Sequence, residues 1–193
     1  VAIAWTSFQP SEAIVGLTPR RSGQVLVDGK PMAGNLRAAR HAGLVYLTKD
    51  RKGRGLLVDK RIRMNLTLQS LDLHQHWGFI SGSSEQKALE RAHRRFDIRV
   101  RDRSVTVGQV SGGNQQKLLL AKIMEVAPRL LILDEPTRGI DVGTKQQIYQ
   151  FLSVLAREGL SIILVSSEMT EVIGLSTRVI VMNAGRIAGT LSG

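Results

Sequence analysis

Residues 130–141 read LLILDEPTRGID, an apolar run that ends in two adjacent carboxylates. A short and continuously apolar run is typical of a parallel strand that is buried on both faces. Open α/β folds bind their ligands at the carboxyl ends of such strands. Asp134 and Glu135 are therefore candidate site residues, although a strand that ends in a solvated acidic turn fits this run alone about equally well.

The segments around this run alternate between strand and helix patterns. Aligned apolar residues between 148 and 155 predict a helix, and apolar runs at 162–165 and 179–182 predict two further strands. This alternation predicts right-handed βαβ crossovers, and hence an α/β fold with a mainly parallel sheet covered by helices. Near the start, residues 24–28 alternate as a strand and reach a turn at Asp28-Gly29, which predicts a strand followed by a turn.

The composition narrows the class of protein. With 193 residues, the chain is long enough for one α/β domain, and its 42% apolar but only 4% aromatic residues predict an aliphatic core. The lack of cysteine excludes disulfides and thiolate metal sites. The longest apolar runs are far too short to span a bilayer. The formal charge of +11 is concentrated near 49–63 and 91–103 with few aromatics between. This pattern favours a solvated face, or a face turned toward anionic lipid or an acidic partner, over nucleic-acid binding.

A second motif, VSGGNQQK at 110–117, precedes another apolar helix pattern. A Ser-Gly-Gly sequence at a helix start exposes backbone N–H groups at the positive end of the helix dipole, where a phosphate can approach closely. Taken alone, Ser111 is also an ordinary helix N-cap followed by two turn glycines. From residue 83 the helical period predicts that 62–125 is a mainly helical insert.

Three of these segments, in chain order, resemble the motifs of ABC ATPases. SGGNQQK at 111–117 resembles the signature, LILDEPTRGID at 131–141 resembles the Walker B motif with its D-loop, and VSSE at 165–168 resembles the switch segment. The residues of the first two motifs are most similar to those in the C-terminal ATPase half of tandem importers for ribose, galactose, xylose, arabinose and related sugars. The likeness runs from residue 13 onward and includes SGQVLVDGK and KDRKGRG.

The resemblance implies a fold and a domain plan. The fold is a P-loop NTPase (RecA-like) ABC ATPase core with a mainly parallel sheet, an antiparallel strand element and an α-helical signature subdomain. The chain would form a single ABC ATPase domain that is N-terminally incomplete or divergent. Its catalytic α/β core would comprise 1–61 and 126–193, and its helical subdomain 62–125.

The resemblance also implies ATP and Mg²⁺ as ligands and assigns roles to residues. In ABC ATPases two domains form composite sites, each joining the Walker face of one domain to the signature of the other. Asp134 would hold Mg²⁺, Glu135 would orient and deprotonate the attacking water, and Ser167 occupies the switch position. Asp141 would lie in the D-loop at the domain seam and can also cap the helix that begins at residue 142. The nucleotide held by the opposite domain would meet the signature residues Ser111, Gly112, Gly113, Asn114 and Gln115.

The sequence departs from the family pattern on its own Walker side. Residues 1–12 read VAIAWTSFQPSE, with neither glycine nor lysine where the phosphate-binding loop belongs. Ser167 stands where a histidine is usual, and it can hydrogen-bond a water but cannot carry an imidazolium charge. Lys49 stands near the position of a metal-facing Gln or Glu and would repel Mg²⁺. We therefore expect the chain's own Walker site to be weak or silent, while its signature stays intact.

The implied partners are a first ABC ATPase domain of the same polypeptide or a second copy, transmembrane permease subunits and, indirectly, a periplasmic sugar-binding protein. The location would be peripheral, at the cytoplasmic face of the inner membrane. The basic segment 50–66 is either a surface that docks on the permease or a plain solvated loop. The chain begins with Val and ends on Ser-Gly, which predicts either a fragment of a longer protein or a processed chain. Two alternatives remain: a degenerate regulatory nucleotide-binding module, and a non-transport ABC ATPase of translation or DNA repair.

Overall fold

The computed structural model describes residues 2–4, 10–99 and 104–192. The chain forms two compact units. The first comprises Val1–Leu47, Pro128–Pro136 and Gln146–Gly193, and the second comprises Thr48–Ala127 and Thr137–Lys145. The predicted helical insert at 62–125 lies within the second unit. Residues 48–61 cluster with this second unit, and the division into a catalytic core and a helical subdomain stays a prediction.

The first unit contains the main sheet and its helices. Its strands are β1 (Ala2–Ala4), β2 (Val25–Val27), β3 (Lys30–Met32), β4 (Leu44–Leu47), β7 (Leu130–Asp134), β8 (Ser161–Val165), β9 (Arg178–Asn183) and β10 (Arg186–Ser192). Its helices are α1 (Pro10–Val15), α2 (Leu36–His41), α7 (Met169–Leu175) and most of α6 (Val142–Arg157).

The second unit is mainly helical. It contains a π-helical turn at Arg51–Gly55, short 3-10 turns at Leu71–Leu73 and Val107–Gln109, and the two-residue strands β5 (Gln75–His76) and β6 (Phe79–Ile80). Its helices are α3 (Ile62–Thr67), α4 (Gly82–Phe96), α5 (Gly112–Met124) and the first turn of α6.

Across the described residues the main sheet has six strands in the order β10-β9-β1-β8-β7-β4. Every pairing is parallel except that of β10 with β9, which confirms the predicted mainly parallel sheet. β7 lies between β4 and β8, and its residues 131–134 are buried, as the uninterrupted apolar run predicts. In this register Asp134 is opposite Val165, so the acidic end of β7 lies beside the residues that follow β8.

The predicted antiparallel element is the hairpin of β2 and β3. Its two turn residues, Asp28 and Gly29, have φ values of 51° and 75°. A two-residue turn of this kind needs positive φ at both positions, which explains the Asp-Gly pair. Met32 of the hairpin packs with Val15 of α1, Ala39 of α2 and Ile132 of β7 in one apolar cluster.

In the helical unit α5 lies against α3, α4 and the π-helical turn. Its residues Leu118, Leu119, Leu120 and Ile123 are at most 3% exposed. The basic segment 50–66 is not a plain solvated loop throughout: residues 51–55 form the π-helical turn, and Gly55 and Leu56 are buried. The buried Lys122 side chain fixes the turn, because its Nζ donates to the Gly55 carbonyl at 2.9 Å.

None of the helices in the described part of the chain combines the length and the hydropathy that a membrane crossing requires.

Candidate functional site

Asp134 is the last residue of β7 and is only 1% exposed. The hydroxyl of Tyr46, on the adjacent strand β4, donates to its Oδ2 at 2.8 Å. Burial, and then this hydrogen bond, raise the pKa of Tyr46 well above its ordinary value. The phenol therefore keeps its proton and acts as a fixed donor that orients the Asp134 carboxylate.

Glu135 lies immediately beyond β7 in the left-handed backbone region, with a φ of 50°. This conformation is unfavourable for a residue with a side chain, and such residues cluster at functional sites. Two contacts hold it: its N–H donates to the Val165 carbonyl at 2.8 Å, and its Oε1 accepts from the Ser167 N–H at 2.9 Å. Ser167 therefore contacts the candidate general base through its main chain.

The oxygen donors near Asp134 fit a magnesium ion. Ser11, in α1, is 1% exposed and lies beside the Tyr46 hydroxyl that donates to Asp134. Mg²⁺ binds through one or two protein oxygens and keeps several waters, so Asp134 with a buried hydroxyl is a suitable donor set. No group of three or more His, Asp or Glu residues converges anywhere in the described ranges, so a cage built by the protein alone is not found there.

Two predictions about this side of the chain stay predictions. The missing phosphate loop concerns residues 1–12, of which 1 and 5–9 lie outside the described residues. The predicted repulsion between Lys49 and Mg²⁺ depends on residues of two separate units, because Lys49 belongs to the helical unit and Asp134 to the unit with the main sheet.

Replacing Tyr46 with phenylalanine tests its role at Asp134. We expect Tyr46→Phe to lower the free energy of unfolding by about 1.5–3 kcal/mol, the usual contribution of a hydrogen bond to a charged group. Because the folded state raises the Tyr46 pKa, its contribution is fully present below pH about 10 and is lost as the pH rises further. Urea unfolding between pH 7 and pH 11 measures both effects. An unchanged alkaline slope in Tyr46→Phe would contradict the assignment.

The Ser-Gly-Gly motif begins α5, as predicted. Ser111 is exposed and caps the helix: its Oγ accepts from the Asn114 side-chain nitrogen at 3.0 Å and from the Asn114 N–H at 3.4 Å. Within the described part of the chain, the N–H groups of Gly112 and Gly113 have no hydrogen-bond partner. The N-cap interpretation and the anion-site interpretation are thus compatible.

Two of the predicted nucleotide-binding residues, Asn114 and Gln115, use their side chains in hydrogen bonds to the backbone of this chain. The Asn114 Oδ1 accepts from the Arg99 N–H at 2.8 Å. Gln115 is 4% exposed, and its Nε2 donates at 3.1 Å to the carbonyls of both Val107 and Val110. Their side chains hold the loop in front of α5 in place.

Gly113 is packed against the start of α6. A Cβ on Gly113 would lie 2.7 Å from Thr144 Oγ1, so this position has no room for a side chain. Asp141 caps α6 as predicted, since its Oδ1 accepts from the Thr144 N–H at 2.9 Å. This hydrogen bond is the main reason that the pKa of Asp141 is lowered. Thr144 therefore contacts both the motif at the start of α5 and the segment that contains Asp141.

Sequence reasoning missed Tyr46 and Thr144 and treated Arg51 only as part of a basic loop. The one available signal for Tyr46 was a hydroxyl within the otherwise aliphatic strand LVYL. Such a buried polar group needs a partner, and the carboxylate of the adjacent strand provides it.

Comparison with known proteins agrees with this arrangement. The family model described as ABC transporter matches residues 11–138. A ribose import ATP-binding protein from Burkholderia pseudomallei (strain 1710b) is 45% identical over 181 residues, which cover 93% of this chain and 35% of the relative. A ribose import ATP-binding protein from Oceanobacillus iheyensis is 43% identical over 180 residues, covering 93% and 36%. The chain thus spans about a third of the length of these curated relatives.

Solved structures show the same fold. A dimeric ATP-binding cassette in a post-hydrolysis state, bound to ADP and phosphate, has a TM-score of 0.81 at 19% identity, covering 99% of this chain and 84% of that one. A nucleotide-free ATP-binding cassette from an ABC transporter has a TM-score of 0.84 at 16% identity, covering 100% and 79%. The shared fold, the order of the motifs along the chain and the match over residues 11–138 place this chain in the ABC transporter family, whose members hydrolyse ATP.

Proposed function

We propose that this chain is one ATPase half of a sugar importer, and that its signature completes an ATP site whose phosphate loop belongs to a partner cassette. The observation that carries the proposal is the first turn of α5. There, Ser111 is exposed, and the amides of Gly112 and Gly113 have no partner among the described residues. The names of the relatives, which are ribose import proteins, support a sugar as the transported substrate.

The chemistry of this surface suits a terminal phosphate. Unpaired N–H groups at the start of a 13-residue helix donate to anionic oxygens, and the helix dipole adds a favourable field. Preorganised donors of this kind stabilise charge as it develops in the transition state. Gln115 and Asn114 position the turn rather than bind the nucleotide through their side chains.

The site around Asp134 and Glu135 is proposed to be weak in this chain. Asp134 would hold Mg²⁺, and Glu135, fixed by the Ser167 amide, would orient a water. When bound, Mg²⁺ would bridge and neutralise phosphate oxygens. The affinity of this site for nucleotide is proposed to be low because residues 1–12 lack the glycines and the lysine that surround phosphates in a P-loop.

The partners follow from the composite site. We propose that a second cassette, either from the same polypeptide or from another copy, faces α5, and that permease subunits bind the pair at the cytoplasmic side of a membrane. Relatives almost three times as long as the matched segment are consistent with tandem cassettes in one polypeptide. The identity of the sugar would be set by the permease and a solute-binding protein.

An ATPase assay tests the dependence on a partner. We expect this chain alone to hydrolyse almost no ATP, because losing several charge-assisted hydrogen bonds to phosphate weakens nucleotide binding by about a thousandfold or more. Hydrolysis should appear when a cassette with an intact phosphate loop is added. The matched control adds the same cassette to Ser111→Arg. Robust turnover by the chain alone would refute the proposal.

A further inference from the structure

Arg51 lies beside the first turn of α5. It begins the π-helical turn, and its Nη2 is 3.4 Å from the position that a Cβ would occupy on Gly112. The far end of the same turn is anchored to α5, because Lys122 Nζ donates to the Gly55 carbonyl at 2.9 Å. The turn that carries Arg51 is therefore fixed against α5, with the guanidinium beside Gly112.

The charge of Arg51 lacks compensation within the described residues. Its Nε is buried without a hydrogen-bond partner, and no described carboxylate forms an ion pair with it. Burial lowers the pKa of Arg51, which means that the surroundings disfavour its cationic form. A charge that is partly withdrawn from water is costly unless it is paired, so this half-buried position favours the arrival of an anion.

The helix adds a second unfavourable effect on the cation. The start of α5 carries the positive end of the helix dipole and the unpaired amides of Gly112 and Gly113. A cation at this end of a helix is repelled by the dipole, whereas an anion is attracted both by the dipole and by the cation. The guanidinium and the two amides thus favour the same negatively charged group.

We propose that Arg51 binds the terminal phosphate of the nucleotide that a partner cassette presents to the first turn of α5. This inference rests on the proposed function and adds a residue outside the signature to the same site. The planar guanidinium offers two parallel N–H donors, which match two phosphate oxygens. Arg51 then supplies the full positive charge that the neutral amides of Gly112 and Gly113 cannot provide.

The experiment measures how ATP and ADP drive association of this chain with a partner cassette that is supplied as a separate polypeptide. Slowing hydrolysis in the partner allows sedimentation to report the association constant. We expect Arg51→Ala to weaken association in ATP by about tenfold or more, the lower end for a charge-assisted hydrogen bond. Association in ADP should not change, because the terminal phosphate is absent. Arg51→Lys keeps the charge but not the paired donors, so its association constant in ATP should lie between those of wild type and Arg51→Ala.

Lys52→Ala is the matched control, since Lys52 is exposed on the same turn and carries the same charge. Equal effects of Lys52→Ala and Arg51→Ala would overturn the proposal in favour of general electrostatics. A loss that is as large in ADP as in ATP would also overturn it, in favour of a partner carboxylate. Should Arg51→Ala fail to fold, Arg51→Gln and Arg51→Lys decide by the same comparison.

The Ser111→Arg variant tests the proposed function separately from the role of Arg51. If Ser111→Arg leaves ATP-driven association unchanged, the signature does not meet the nucleotide, and both proposals are wrong. If Ser111→Arg abolishes association while Arg51→Ala behaves like Lys52→Ala, only the role of Arg51 is wrong.

Discussion

Ser111→Arg is expected to reduce ATP hydrolysis by the assembled ATPase by about a hundredfold or more, as removal of preorganised transition-state donors does. Ser111 is exposed at the start of α5, so a long side chain there would occupy the space in front of the amides of Gly112 and Gly113. Glu135→Gln is expected to leave the rate almost unchanged, because Glu135 serves the site that we propose to be weak. Steady-state hydrolysis at saturating ATP measures both variants.

The control for this comparison is Ser111→Thr, which keeps a hydroxyl that can cap the helix. Substitution of Gly113 is a poorer test, because any Cβ would collide with Thr144 Oγ1 and disturb packing as well as the site. Equal losses in Ser111→Arg and Glu135→Gln would show that both composite sites turn over, and the proposed asymmetry would then be wrong.

Asn65→Ala is expected to lower the free energy of unfolding of the helical unit by about 3 kcal/mol, since it leaves several polar groups without partners. Asn65 is fully buried in α3. Its Oδ1 accepts from the Leu57 N–H at 2.7 Å, and its Nδ2 donates to the Leu57 carbonyl at 2.8 Å and to the Arg61 carbonyl at 3.2 Å. One side chain thus fixes the segment that leads from the π-helical turn into α3.

Urea unfolding, followed by a probe within the helical unit, measures this effect. Gln69→Ala is the control, because it removes an exposed amide from the same part of the chain and should cost less than about 0.5 kcal/mol. Asn65→Asp retains the acceptor but places a buried carboxylate against the Leu57 and Arg61 carbonyls, so it should be at least as destabilising as Asn65→Ala. Similar stabilities of Asn65→Ala and Gln69→Ala would show that the segment holds its shape without Asn65.

Much of the fold could be predicted because the deciding patterns are local. The uninterrupted apolar residues of β7 predict a buried parallel strand, and Asp28-Gly29 predicts the turn of the hairpin. The strand order could not be predicted, because it depends on pairings between distant segments. β1, at the start of the chain, lies between β8 and β9, and its own three residues carry no information about that position.

The candidate site divides in the same way. Asp134 and Ser111 could be located because one ends a strand and the other begins a helix. The contact of Tyr46 with Asp134 joins residues 88 positions apart, and no local pattern predicts it. For Ser167, sequence reasoning considered the hydroxyl, whereas the structure shows the main-chain N–H donating to Glu135. Any residue except proline can supply a main-chain N–H, so the residue type at position 167 does not reveal this contact.

The contact between Gly113 and Thr144 has a mechanical consequence. The side chain of Thr144 packs directly against Gly113, and its backbone N–H donates a hydrogen bond to Asp141. A displacement of the Asp141 segment by a docking cassette would therefore push directly on the beginning of α5. If the amides of Gly112 and Gly113 face a phosphate as proposed, docking of the second cassette and alignment of these amides would occur together.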